Sequence, residues 1–384
     1  MLYYIGDFLL TTFGKGNNPV GRLLTSNAVL IVLALYVGFS LTRYILPLFF
    51  SRLPSDRGRE FTLSKEASKG KPTGSGVVFV TVFVVLALLF TPLPYDTASD
   101  EKVFLLGMEI SARVFRYLTQ ISVLFLTWIM MLTGYLDDRS EKGWGEYIKA
   151  FLDFVVCTVT AFLLAYYLSK VSEDGTLSFW LPFVKEPVKI SLWLYIIITI
   201  IMLWVSINTT NCTDGVDGLS SSLVLLALFT LGLIFYVILG HTDMASYLLV
   251  PHFTGGASWA IIIFTFSGVV MGYLWHNAFP SSVLMGDAGS RALGFFIGVC
   301  VMISGNPLLF LVTSSIIFIN GGMGLLKVAL KRYLHINIFE TVRFPLHDHM
   351  RKNHGWSPTQ VLIKFLMIQI LITIGMLGVF FKIR

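Results

Sequence analysis

Charge is what this chain has least of. Asp, Glu, Lys and Arg together make up 13% of its 384 residues, while 55% are hydrophobic; an ordinary soluble domain has roughly 25% charged and 45–50% apolar residues. So little charge excludes a soluble globular enzyme. It leaves a polytopic membrane protein of the all-α class, read here as a single integral membrane domain over residues 1–384. Cysteine is nearly absent too. Cys157, Cys212 and Cys300 lie in or beside apolar runs and form no CxxC pair, which excludes a disulfide framework and a cysteine zinc site and leaves free thiols. The first 21 residues, MLYYIGDFLLTTFGKGNNPVG, lack a basic leader and a small-residue cleavage site. They are expected at the membrane interface with their aromatics at headgroup level rather than as a cleaved signal.

Long apolar runs are abundant. Ten stretches approach the roughly 20 residues that a bilayer-crossing helix needs: 26–50, 77–95, 113–135, 146–169, 189–207, 219–239, 258–279, 291–304, 308–330 and 360–381. The eighth is short. One alternating set of connections (51–76, 136–145, 208–218, 280–290, 331–359) carries 13 Lys and Arg, and the opposite set, termini included, carries 7. Positive charge is retained on the cytoplasmic side, so the first set is expected inside and both termini outside.

Every polar cluster with chemical potential falls in the basic set. These are SKGKPTGSG (68–76), LDDRSEKGWGE (136–146), NTTNCTDGVDG (208–218), LMGDAGSR (284–291) and FPLHDHMRKNHGW (344–356). Asn211, Asp214 and Asp217 are spaced i, i+3, i+6, so a helical turn would line them along one face; equally, the segment reads as a solvated loop with helix caps. Asp287 stands between glycines where a span begins, and free N–H groups there favour a phosphate that a carboxylate-bound Mg²⁺ can share; a simple capped turn gives the same pattern. Asp137 and Asp138 point about 100° apart on a helix, so one can face a site while the other meets a basic neighbour. Extended backbone through the histidine cluster would aim His347 and His349 the same way, beside Arg351 and Lys352, an arrangement suited to a diphosphate. No Cys or Glu completes a zinc set there. Lys69 and Lys71 read either as positive-inside residues or as phosphate contacts. Five separated loops sharing one membrane face point to Mg²⁺-dependent phosphoryl transfer at the cytoplasmic interface.

NxTDGxDG, MGDxGS, the Asp-Asp pair, a PT-x-x-G loop after the first span and a histidine-rich loop before the last together resemble the polyprenyl-phosphate N-acetylhexosamine-1-phosphate transferases. Within them, YLLVPHF followed by GYLWHNAFPSSVLMGDAGS resembles the bacterial phospho-N-acetylmuramoyl-pentapeptide transferases, nearly the whole chain in order. The resemblance implies ten transmembrane helices in the bacterial inner membrane. It implies transfer of phospho-MurNAc-pentapeptide from UDP-MurNAc-pentapeptide to undecaprenyl phosphate, giving lipid I and UMP for peptidoglycan, with Mg²⁺ as cofactor, a homodimer and no nucleic acid. By the same resemblance Asp287 is the metal ligand, and Asp137, Asp138, Asp287 and His347 are the catalytic group. Asp137 and Asp138 would face the lipid phosphate. Lys69, Thr73, Asn211, Asp214, Asp217, Asn277 and Ser290 would bind the nucleotide-sugar, and His347 with His349 the diphosphate. Three positions depart from the family pattern. His-Asp-His stands at 347–349 where the family has three histidines, Leu284 stands where a Phe is usual, and KPTGSG displaces the basic residue of the TPTMGG loop.

Two other readings remain open from the sequence. A relative using UDP-GlcNAc would share the aspartates. A secondary transporter would need ionisable groups near mid-bilayer and internal repeats; Asp153 is the main such acid, and Lys327 sits where it can snorkel.

Overall fold

The computed structural model describes residues 1–13, 18–56, 58, 68–92, 102–105, 108–172 and 175–382. Among them, nine helices are long and apolar enough to cross a membrane, and a tenth apolar helix is shorter. In chain order we label them α1 (Asn27–Arg52), α2 (Gly76–Phe90, the short one), α3 (Ala112–Arg139), α4 (Glu146–Val171), α5 (Leu192–Thr213), α6 (Leu219–Leu239), α7 (Gly256–Asn277), α8 (Gly286–Ile303), α9 (Leu309–Leu334) and α10 (Pro358–Phe381). A bilayer offers no water to backbone N–H and C=O groups, so each span must satisfy its own by helical bonding. Among the described residues the strands form two antiparallel hairpins, Lys102–Leu105 with Met108–Ser111 and Leu177–Phe179 with Val188–Ile190. They connect α2 to α3 and α4 to α5.

The ten apolar runs become the ten helices, but several ends move. α5 does not stop before the polar insert; it runs on through Asn208 to Thr213. Thr209, Thr210 and Thr213 are fully buried there, and Thr213 Oγ1 donates to the Thr209 carbonyl (2.8 Å), a bond within the helix that lets a polar residue continue it. α3 likewise continues through both aspartates to Arg139. α8, the shortest of the nine, lies at the centre: 94% of its apolar window is buried inside the protein, against 22% for α10. It packs chiefly against α3 and α5, then α2. Protein rather than lipid surrounds α8, which is why it can carry Asp287 and Arg291 in its first two turns.

The histidine segment is not extended. Leu346–His354 is a helix that follows Pro345 and ends at Gly355 in a left-handed conformation (φ 67°), the Pro-before, Gly-after signature of a short helix. His347 and His349 therefore point to different sides. α9 contains two π-helical stretches, Phe318–Gly322 and Leu330–Leu334.

Candidate active site

The site forms where the basic loops meet. The SKGKPTGSG loop lies alongside the segment before α8: Leu284 N–H donates to the Pro72 carbonyl (2.8 Å), and Ser75 Oγ donates to the Leu284 carbonyl (2.9 Å). α3 approaches from the other side at Gly134. A Cβ there would stand 2.4 Å from the Asp287 carbonyl oxygen, so only glycine lets the helices come this close. One turn on, Asp138 uses that closeness. Its Oδ1 accepts from Asp287 N–H and its Oδ2 from Ala288 N–H, both at 3.0 Å, capping the first turn of α8 with a carboxylate where the helix dipole favours one.

Asp137, offset around α3, faces α4. Its buried carboxylate pairs with Lys149 and accepts the Trp144 N–H. The same Lys149 Nζ lies 3.0 Å from Asp287 Oδ2. Asn211, at the end of α5, donates to Asp287 Oδ1 (3.0 Å) and to Ser290 Oγ (2.9 Å), while Ser290 Oγ donates to the Gly286 carbonyl (2.9 Å). Two carboxylates thus share one ammonium, with an amide orienting the second.

Beside this cluster opens a solvent-connected cleft lined by Asp56, Thr73, Asp214, Asp217, Leu284 and Gly286 among others. Asp214 ends α5. Asp217 Oδ2 accepts the Ser281 N–H (2.9 Å) and stands 3.6 Å from Lys71 Nζ, and Lys71 also donates to Ser281 Oγ (3.0 Å). Asn277 borders the cleft but is 3% exposed: its Oδ1 accepts from Gly218 N–H (3.0 Å) and Ser221 Oγ (3.2 Å), and its Nδ2 donates to the Val283 carbonyl (3.0 Å). Lys69 is exposed on the same loop, and it is Lys71, two residues on, that reaches the aspartate.

His347 is buried behind Gly215, whose hypothetical Cβ would meet the imidazole Nε2 at 2.4 Å. Asn320, in the π-helical stretch of α9, accepts both the His347 backbone N–H (2.8 Å) and a bond from ring Nδ1 (3.1 Å) on a single oxygen. The backbone is necessarily a donor, so that atom is the amide oxygen, and Nδ1 must carry the ring proton. Nε2 is then a bare acceptor. Burial and the nearby Arg351 push the His347 pKa down to about 3, so the resting ring is uncharged. Asp348 Oδ1 lies 3.7 Å from that Nε2, its carboxyl raised above the usual range by burial despite Arg343 and Arg351. His349 is half-buried and accepts the Arg343 N–H on Nδ1 (3.2 Å).

Asp137, Asp138, Asn211, Asp287 and Ser290 are therefore brought into one cluster, Thr73, Asp214, Asp217 and Asn277 line the adjoining cleft, His347 sits behind Gly215 in its wall, and Lys69 and His349 are not among the lining residues. Sequence reading missed Lys149 and Asn320, and it weighed Lys71 no differently from Lys69. Lys149 follows Glu146 by three residues in what looks like a polar helix start, and nothing in the sequence marks it as facing inward. Among the described residues, no three His, Cys, Asp or Glu side chains form a metal cage. Asp153 is not a lone mid-span acid, because it pairs with Arg291. Lys327 Nζ donates to the carbonyls of Phe339 (2.8 Å) and Val342 (2.9 Å), both in the 331–359 loop.

The sequence model of glycosyl transferase family 4 matches residues 120–305, the stretch from within α3 through α8 that supplies most of the cluster. Fold and match together define the class, a polytopic membrane transferase. Full-length relatives narrow it. The chain is 50% identical to the phospho-N-acetylmuramoyl-pentapeptide-transferase of Treponema pallidum subsp. pallidum over 94% of its own length and 93% of that protein. It is 29% identical to the enzyme of the same name from Helicobacter hepaticus (89% and 91% covered) and 27% to that of Campylobacter jejuni subsp. jejuni (88% and 90%). The chain belongs to the phospho-N-acetylmuramoyl-pentapeptide-transferase family, multi-pass enzymes of the bacterial inner membrane.

Proposed function

We propose that this protein transfers phospho-MurNAc-pentapeptide from UDP-MurNAc-pentapeptide to undecaprenyl phosphate at the cytoplasmic face, yielding lipid I and UMP, with both chain termini outside and two copies forming a homodimer. The observation that carries the reading is the convergence of Asp137 and Asp287 on one cation, the Lys149 ammonium, at the first turn of α8 beside the cleft lined by Asp214 and Asp217. Mg²⁺ binds through one or two carboxylates and substrate phosphates rather than in an all-protein cage, and hard carboxylate oxygens already directed at a cation fit that requirement. Asp287 and Asp137 would hold the ion, which, when bound, neutralises charge on the diphosphate.

The chain's own residues divide the remaining work. Lys149, released from the carboxylates, and Lys71, at the cleft, supply positive charge to the phosphates. Asn211 fixes the rotamer of Asp287. The bare Nε2 of His347 accepts a hydrogen bond rather than adding charge, so the lysines carry the electrostatic role. A phosphomonoester acceptor, with its second pKa near about 6, is mostly ionised at neutral pH and needs no strong base. Asp138, with both oxygens on backbone N–H groups, is poorly placed to be base or nucleophile, which supports direct in-line attack. The test is UMP release from UDP-MurNAc-pentapeptide that depends on undecaprenyl phosphate and Mg²⁺. Preference for UDP-GlcNAc would reassign the sugar, and a labelled protein adduct in rapid quench without acceptor would replace direct attack with a covalent route. Native mass spectrometry in detergent checks the dimer, and cysteine labelling of either terminus from one membrane side checks the orientation.

A further inference from the structure

One turn below the shared ammonium, a second ion pair joins the same two helices. Arg291 on α8 pairs with Asp153 on α4, each side chain 3% exposed. Lys149 and Asp153 are four residues apart on α4, and Asp287 and Arg291 are four apart on α8, so the two pairs form successive rungs. The charges are crossed: α4 presents plus then minus, α8 minus then plus. Both helices leave the same end of the bundle, so a slide of one helical turn, about 5.4 Å, would set Lys149 against Arg291 or Asp153 against Asp287. Either is repulsive. α4 and α8 otherwise make little contact, since α8 is packed mainly by α3 and α5. α5 braces the upper rung, with Asn211 on Asp287.

The rungs differ in how easily they open. The Lys149 side chain is 31% exposed and must yield its carboxylates to a metal ion. The lower pair is buried in the span, where parting two charges is costly.

We propose that Asp153–Arg291 is a positioning latch: it holds α4 in register on α8 while the upper rung is open, so that Asp137, Lys149 and Asp287 stay set for the divalent cation. The proposal rests on Asp287 being the cation ligand, and its test separates the two. Mn²⁺ binding would be followed by electron paramagnetic resonance on purified full-length protein, beside thermal melting and the kcat and donor KM of UMP release. In Asp153→Leu/Arg291→Leu, which removes both charges together, we expect a folded protein whose Mn²⁺ midpoint rises about 10-fold and whose kcat falls with donor KM little changed. In the exchanged variant Asp153→Arg/Arg291→Asp the pair survives but the crossed order is lost, and melting should recover while the Mn²⁺ midpoint stays raised at least about 3-fold. A wild-type Mn²⁺ midpoint in either variant overturns the latch and leaves a packing role. Should both fail to fold, Arg291→Lys decides: a raised midpoint supports the latch and an unchanged one overturns it. Wild-type Mn²⁺ binding in Asp287→Asn would instead overturn the cation assignment itself.

Discussion

The two ends of this bundle both carry cavities, and they are built differently. At the end opposite the basic loops, a cavity is lined by Leu168, Ser172, Trp180, His252, Phe253 and Ser304 among others, with no acid, lysine or arginine among the described residues of its wall. Trp180 is closed on main chain there: its Nε1 donates to the Ser304 carbonyl (2.6 Å) and its N–H to the Gly305 carbonyl (3.0 Å). At the basic end, carboxylates from α3 and α8 face a lysine from α4, and Asp217 from the α5–α6 connection faces a lysine from the loop before α2. A gap between helices needs only satisfied hydrogen bonds to persist, whereas several buried carboxylates at one place cost free energy and persist where something cationic repays it. That asymmetry is why the proposed chemistry belongs at the basic end.

The largest effect should come from removing the carboxylate at the start of α8. Asp287→Ala is expected to lower UMP release at least about 100-fold, because losing an ion's anchoring charge forfeits several kcal/mol of transition-state stabilisation. Ser304→Ala in the far cavity should leave release within about 2-fold; comparable losses at both ends would erase the contrast.

Lys149→Met sharpens the same comparison. Without the ammonium, Asp137 and Asp287 face each other unscreened, so the Mg²⁺ concentration giving half-maximal activity should fall. Turnover should drop about 10- to 100-fold as one transition-state donor is lost. A Mg²⁺ requirement that rises instead would mean that Lys149 helps to assemble the ion's site rather than holding its place.

The sequence made the division between the ends readable before the details within the site. Ten apolar runs and a 13 to 7 split of basic residues placed all the acid and histidine clusters on one side because hydropathy and charge act over whole segments. What stayed hidden depends on orientation. Asn208–Thr213 read equally as a loop or a helical turn because polarity normally marks a helix end, but this helix ends inside protein. His347 looked cationic from its Arg and Lys neighbours, while its partner, Asn320, comes from a π-helical turn that hydropathy does not reveal. Arg291 read as the flank of a motif, and only the structure sets it opposite Asp153.

Close packing is the next difference between regions to test. Gly134→Ala drives a Cβ to 2.4 Å from the Asp287 carbonyl, and a backbone atom cannot rotate away, so α3 and α8 must separate. A loss of roughly 2–3 kcal/mol is expected, read as a lower melting temperature together with reduced turnover as Asp138 loses its cap. Gly378→Ala on α10, where a Cβ would meet nothing within 4 Å, should be neutral or gain up to about 1 kcal/mol from helix propensity. Equal melting of the two variants would show that the α3–α8 contact tolerates slack.

The smallest effect concerns His347 and follows from the sign of its shift. Its folded pKa, pushed down to about 3 by burial and Arg351, lies below the ordinary value near 6.5. Below pH 6.5 the unfolded chain takes up a proton that the folded protein refuses until about pH 3. Stability must therefore fall as pH drops through that window, by roughly 1.4 kcal/mol per pH unit once well below 6.5, and this group contributes no pH dependence above it. Asp348, raised by burial, acts in the opposite sense but is present in both proteins of the comparison. The melting advantage of wild type over His347→Gln should accordingly be constant from pH 7 to 8 and shrink on acidification to pH 5.5 and below. An advantage that grows in acid would require a charged His347 in the folded protein, and with it the return of the imidazolium to the set of groups that meet the diphosphate.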